Sequence, residues 1–264
     1  MRFSPDEGTL ERVEAYFAGH AFDPHRHDTY GLGLTLSGVQ QFDYRGAEAT
    51  SLTGDLIVIH PDEEHNGRAG ADIGFCYRMA YIEPRLIRDA LGHRADGLPF
   101  VRRAVLDDAR LRAALVPLLA DLGRALEPLE SDHLIAAVAD ALVGLDPSAA
   151  RGASNATCAS AVERARAYLD TNHERMVSSE ELQTVTGLDR FSCARQFRQR
   201  LGTSPYRYLT MRRLGRARAL IRSGLPLAEA ATTVGFADQS HLTRQFRRAY
   251  GLSPGQWRAM QNRS

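Results

Sequence analysis

Two groups of side chains have types and spacings that could do chemistry. After Asp238, a residue suited to capping a helix, Gln239, Ser240, Thr243, Arg244 and Arg247 fall on one helical face, with Leu242, Phe246 and Ala249 on the other. Amide, hydroxyl and guanidinium groups on a short polar helix are what reads base edges in a DNA major groove. Far upstream stand three imidazoles, His25, His27 and His65. Brought together they could hold Zn, Fe or Ni with positions left open. A solvated amphipathic helix would look much like the first group, so the surrounding chain has to decide.

The first group occurs twice. Asp189 matches Asp238, Arg195-Gln-Phe-Arg198 matches Arg244-Gln-Phe-Arg247, Gly202 matches Gly251, and Ser204-Pro205 matches Ser253-Pro254, all at an offset of 49 residues. Each unit reads as short helix, tight turn, capped polar helix, glycine stop and Ser-Pro restart, the grammar of a helix-turn-helix with a supporting helix. The exposed side of the earlier unit carries Arg190, Phe191, Ala194, Arg195 and Arg198. Residues near the start of such a helix reach bases, Arg to guanine and Gln to adenine, while later ones meet phosphate. Phe191 could pack on a thymine methyl or be a core-edge aromatic. Phe197 and Phe246 anchor the cores; Cys193 and His241 read as packing residues.

Charge points the same way. Net charge is only +1, but residues 1–150 hold 14 arginines against 24 acids, and residues 151–264 hold 19 against 8. There is no lysine, and ten arginines without one acid run from Arg190 to Arg222. A basic half beside an acidic half is expected where one domain meets a polyanion and the other does not. Three scattered cysteines (Cys76, Cys158, Cys193), no apolar run long enough for a membrane span and no signal-peptide core predict a cytoplasmic protein without membrane partners.

The elements that must position these groups form two sets. Residues 30–37, 40–44, 55–60 and 74–82 read as short strands, separated at Ser37-Gly38, Arg45-Gly46, Thr53-Gly54 and Asn66-Gly67; such spacing predicts a small barrel or sandwich. Residues 1–20 read as a weak start or short arm. Helical periodicity follows at 84–91, 107–126 and 131–145, the last two suited to covering the barrel or pairing with a second copy. Residues 146–157, small and polar, read as a linker, and seven helices follow. The long fourth one, 206–222, would span about 25 Å at ~1.5 Å per residue, able to set two reading helices in successive grooves ~34 Å apart. The fold class is thus α+β in two domains: a β-barrel with covering helices over 1–145 and an all-α domain over 158–264.

Residues 158–262 resemble the DNA-binding domain of the AraC/XylS family of bacterial transcription regulators. Gly235-Phe236, Asp238, Ser240, Leu242, Arg244, Phe246, Gly251 and Ser253-Pro254 carry the family signature. The resemblance implies base-facing positions at Phe191, Ala194 and Arg195 and at Gln239, Ser240, Thr243 and Arg244; the small Ala194 implies fewer bases read by the first unit. Residues 20–85, with His25-Arg-His27 and the stretch from Gly54 to His65, resemble the cupin barrel that serves as effector domain in this family. In metal-binding cupins three His and one Glu converge. Here Gly31 or Leu32 stands at the Glu position, and Asp62 where a turn glycine is common.

These readings imply a regulator controlled by a small-molecule effector in the barrel, with a double-stranded DNA operator, a homodimer through 107–145, and RNA polymerase as a partner if it activates. No cofactor is required. Candidate pocket groups are His25, His27, Tyr30, His60, His65, Tyr77 and Arg78, polar or aromatic on or beside strands; strand parity admits only some of them. Arg78 could meet an anionic ligand or form an outward salt bridge. Two alternatives remain open: a metal-dependent cupin enzyme fused to a basic DNA-binding domain, and a constitutive binder whose barrel only dimerises.

Overall fold

The computed structural model describes residues 1–5, 10–92, 95, 97–146 and 156–261, with side chains from residue 160 in the second part. The chain divides between residues 152 and 153 into two compact units. Most of the predicted linker lies outside the described residues. No described helix is long and apolar enough to cross a membrane.

The first unit is built on β4 (Tyr30–Tyr44), a 15-residue strand shared by two antiparallel leaves. Its first half lies in the order β1 (Arg2–Phe3), β2 (Leu10–Phe17), β8 (Phe75–Ile82), β4, β6 (Leu56–Ile59), β9 (Val105–Leu106). Its second half pairs with β5 (Ala47–Leu52) on one side and β7 (His65–Ala69) on the other, and β7 pairs with β3 (His20–His25). The ladder does not close on itself among the described residues, so the barrel is an open one.

Three sequence expectations are corrected here. Ser37-Gly38 does not end a strand. It sits at a bulge, where the β4–β8 register shifts between Thr35 and Ser37, and Gly38 takes φ 76° with Gly74 O 2.0 Å from where a Cβ would stand. Asn66-Gly67 lies inside β7, with Gly67 directly under the Phe22 ring. The supposed arm contains β2, paired along its whole length with β8.

Two apolar layers result. Val13, Phe42, Ile59, Phe75, Tyr77 and Met79 fill the space between the leaves. On the other face of the first leaf, Leu32, Val58, Ala80 and Ile82 pack under α1 (Pro84–Leu91), α2 (Ala109–Ala120) and α3 (Pro128–Leu145), through residues such as Ile87, Leu115, Val138 and Leu142. Each Val, Leu, Ile, Phe or Met side chain so buried contributes about 1.5–3 kcal/mol of burial free energy. The helix expected over 107–126 stops at Ala120. Arg12, fully buried, donates to the carbonyls of Leu118 (3.1 Å), Asp121 (2.8 Å) and Arg124 (2.7 Å), taking up groups a helix end leaves open.

The second unit strings two cores on one helix. Helices α4 (Ala156–Thr171), α5 (Ser179–Thr186) and α6 (Arg190–Leu201) enclose Val162, Leu169, Cys193, Phe197 and Tyr208. Helices α8 (Leu227–Thr233), α9 (Gln239–Tyr250) and α10 (Pro254–Gln261) enclose Leu214, Val234, Phe236, Leu242, Phe246 and Trp257. Helix α7 (Pro205–Arg222) contributes to both.

Candidate DNA interface and effector pocket

The reading helices form as their caps dictate. Asp189 accepts from Phe191 N and Ser192 N, both at 3.0 Å, and Asp238 accepts from His241 N at 2.6 Å. Their stops, Gly202 and Gly251, have φ 72° and 68°, a left-handed conformation that glycine adopts without strain. Ser204 caps α7 through Arg207 N, and Ser253 accepts from Gln256 N at the start of α10.

Apolar positions turn inward and leave the predicted faces out. Phe197, Leu242 and Phe246 are fully buried, while Arg190, Phe191, Arg195 and Arg198 on α6, and Gln239, Ser240, Arg244 and Arg247 on α9, are exposed. Ala194 and Thr243 are half-buried at the rim of these faces. The Arg190 guanidinium lies 4.7 Å from the Phe191 ring, and Arg195 donates to Ser192 Oγ at 3.2 Å. Phe191 is 69% exposed, so it is no core-edge residue. Sequence reasoning passed over Arg248, which is also exposed on α9. His241 packs edge-on to Phe236 at 5.2 Å, and Cys193 is buried.

The turns of the two units differ. The first runs Gly187, Leu188, Asp189; the second, Gly235, Phe236, Ala237, Asp238, has one residue more. Nothing lies within 4 Å of a Cβ at Gly187, whereas one at Gly235 would stand 2.6 Å from Glu174 O.

In the first unit the three imidazoles do meet. His25 is opposite His65 across β3 and β7, their ring centroids 4.2 Å apart; His27 lies 4.8 Å from His65 and 6.1 Å from His25. Each Nδ1 is within hydrogen-bonding distance of a carbonyl two residues away: Asp23 (2.9 Å), Thr29 (2.9 Å) and Glu63 (3.1 Å). With Nδ1 as donor, each ring keeps Nε2 as its acceptor. Burial, and then the neighbouring His25, hold His65 well below the ordinary imidazole range, so it is neutral.

For a metal, the donors beyond the three imidazoles matter. The His27 ring occupies the space beside Gly31, its Nε2 3.4 Å from where a Cβ would be, and Leu32 faces the helical layer. Neither supplies the missing carboxylate. Among the described residues no group of three or more His, Cys, Asp or Glu is arranged to hold a metal ion. Asp62 takes φ 63°, so a short carboxylate side chain serves in the left-handed turn where glycine is common.

Of the other pocket candidates, Tyr77 joins the interior, stacked with Phe75 at 5.8 Å, and burial holds its hydroxyl well above the ordinary range. Tyr30, His60 and Arg78 do not join it. Tyr30 belongs to the helical layer and donates to Pro99 O at 2.8 Å. His60 stacks on Phe100 at 4.3 Å, with Nε2 3.0 Å from both the amide and the carbonyl of Val101. Arg78 points at the end of α2, donating to the carbonyls of Leu119 and Ala120. Their strand parity is opposite to that of the interior residues. Three polar interior residues were missed: Thr35 and Ser51, joined at 2.7 Å, and buried Gln40, whose Oε1 has no hydrogen-bond partner among the described residues. Alternation with Phe42 and Tyr44 was the signal that could have found Gln40.

Residues 7–139 match the family model of the AraC-like ligand binding domain, and residues 182–260 match that of a helix-turn-helix domain. The chain belongs to the AraC family of transcriptional regulators. It is 26% identical over 239 residues to the uncharacterized HTH-type transcriptional regulator YbfI of Bacillus subtilis, covering 87% of this chain and 86% of the relative. It is 27% identical over 250 residues to the HTH-type transcriptional activator RhaS of Pectobacterium carotovorum, covering 89% and 86%. The fold is similar to that of ToxT from Vibrio cholerae bound to an unsaturated fatty acid, with TM-score 0.66, 12% identity and 97% of each chain covered. An AraC-family chain of this kind pairs an N-terminal ligand-binding domain with a C-terminal DNA-binding domain, and its relatives are transcriptional regulators.

Proposed function

We propose that this regulator reads an asymmetric operator with α6 and α9 in successive major grooves, under control of a small molecule seated between the two leaves. The observation that carries the reading is the register-matched pair of capped helices, each with an exposed guanidinium at the same place, Arg195 and Arg244. Arg190, Phe191, Ala194, Gln239, Ser240 and Thr243 join them toward the bases, and Arg198 and Arg247 toward phosphate.

The effector seat is the interior beside His25, His27, His65 and Tyr77, with Gln40 added. Imidazoles and aromatic walls suit a small, largely apolar molecule with a few polar groups. ToxT with its fatty acid is in keeping with that chemistry. A regulator rather than an enzyme is the reading that the regulators among its relatives support, and Gly31 stands where a metal-dependent cupin would carry its carboxylate. It works as a homodimer through α2 and α3 in the cytoplasm, where its operator lies, and meets RNA polymerase if it activates.

Selection of binding sites from a random duplex library tests the reading. Two dissimilar half-sites about one helical turn apart are expected for each chain. Recovery of a single short element would sink it.

A further inference from the structure

The two helix-turn-helix units have separate apolar cores that share no residue, Phe197 and Tyr208 in one, Phe246 and Trp257 in the other. Something other than apolar packing must fix the angle between them, and the one element common to both cores is α7. Arg213, midway along α7 and only 8% exposed, sits where the units meet. Its Nε donates to His173 O and its Nη2 to Arg175 O, both at 2.7 Å, so it grips the turn that follows α4 of the first unit. The same guanidinium lies 5.9 Å from the Phe236 ring, in the turn of the second unit.

Gly235 completes the contact. A Cβ there would meet Glu174 O at 2.6 Å and Arg213 Nε at 3.2 Å, so the backbone of one unit touches the backbone of the other. The gripped turn is itself braced. His173 Nδ1 lies 2.7 Å from Asp170 O, Arg175 donates to Met176 O at 2.8 Å, and Arg175 pairs with Glu181 of α5 at 2.8 Å. A Cβ at Gly187, the glycine in the turn of the first unit, would have nothing within 4 Å. This joint is therefore not a by-product of the repeat.

We propose that Arg213, with Gly235, is a positioning residue that sets the spacing between the two reading helices and hence the half-site spacing the protein accepts. Arg213 touches no base. It acts by holding α6 and α9 at one separation, so that binding of one half-site presents the other helix at high effective concentration. A loosened joint lowers that concentration at the native spacing and raises it at wrong ones.

The test uses the full chain and a duplex selected by the wild type from a random library, with each half-site alone and with one base pair inserted between them. Arg213→Met keeps an unbranched side chain of similar reach and removes the carbonyl bonds; Gly235→Ala wedges the same contact from the other side. Both variants should bind single half-sites within about twofold of wild type, bind the native composite about tenfold more weakly, and show a smaller insertion penalty. Unchanged composite affinity and penalty would overturn the proposal. So would half-site binding that falls in parallel with the composite, or failure of both variants to fold by circular dichroism, since either makes Arg213 a residue of the fold. Failure to select any composite site would instead count against the two-groove reading above.

Discussion

Arg78 and Glu14 face each other across β8 and β2, and their side chains close an ion pair of 2.7 Å from Nε to Oε2. The pair leaves Nη1 of Arg78 aimed at the last carbonyls of α2, Leu119 and Ala120, each at 2.9 Å. Charge complementing a helix C-terminus is favourable, and here the pair also orients the donor. Arg78 thus fastens a helix and does not wait for a ligand. Arg78→Ala should lower stability to urea by about 2 kcal/mol, the scale of lost hydrogen bonds to a charged group, while the folded variant binds DNA as before. An unchanged urea midpoint would refute this role.

On the DNA side, Arg195→Ala and Arg244→Ala should each weaken specific binding by ~1–3 kcal/mol, the worth of a bidentate guanine contact. Arg218 serves as the control. Its guanidinium lies 5.1 Å from the Tyr250 ring and 5.2 Å from Trp257. Its loss should affect the fold of the second core and leave sequence preference intact. Gel-shift titrations on operator and scrambled duplexes separate the two, and wild-type discrimination by both recognition-helix variants would refute the assignment.

Acid should weaken the first unit. Burial pushes His60 down to about 4, and His65 moves the same way for the same reason. The unfolded chain takes up these protons first, so stability is fully present above the ordinary imidazole value near 6.5 and declines as pH falls toward 4. His60 contributes at most about 3.5 kcal/mol to the loss, at ~1.4 kcal/mol per pH unit. His60→Gln, which keeps a polar group near Val101 but does not titrate there, should flatten the decline of melting temperature between those pH values. An equally steep decline in the variant would assign the effect elsewhere.

Purified protein should carry well under one metal ion per chain by elemental analysis, and chelator should leave DNA binding unchanged. Without a carboxylate at Gly31, the three imidazoles are an incomplete donor set for the cupin chemistry considered above. Stoichiometric iron with turnover of a small substrate would establish the enzyme reading instead.

The helical unit was the more legible half because its signals are local. Asp189, Gly202, Ser204 and their counterparts 49 residues on act within one turn of the chain. β2 was missed because its sequence, LERVEAYF, does not alternate cleanly, and its charge Arg12 is buried only because carbonyls of α2 and the loop after it receive it. The histidine cluster could be named from residue type, but Tyr30, His60 and Arg78 could not be excluded without knowing which strand face looks inward. Arg213 carried no signal at all, since its partners are backbone carbonyls 38 and 40 residues away.

Leu36 acts on β4 like a single inserted letter in a reading frame. Before it, odd positions look between the leaves: Gly31 beside His27, Gly33 against Met79, Thr35 bonded to Ser51. After it, even positions do: Phe42 and Tyr44 in the apolar interior, with buried Gln40 in step with them. Straightening the bulge with Leu36 kept in the ladder would send Phe42 and Tyr44 to the water and bring Gln41 and Asp43 inward, whereas deleting Leu36 would leave Thr35, Gly38, Gln40, Phe42 and Tyr44 on the inner face. The bulge thus holds both halves of the wall to one interior, and a one-residue deletion between Gly38 and Gln40 should turn the later half inside out where a change of side chain would not.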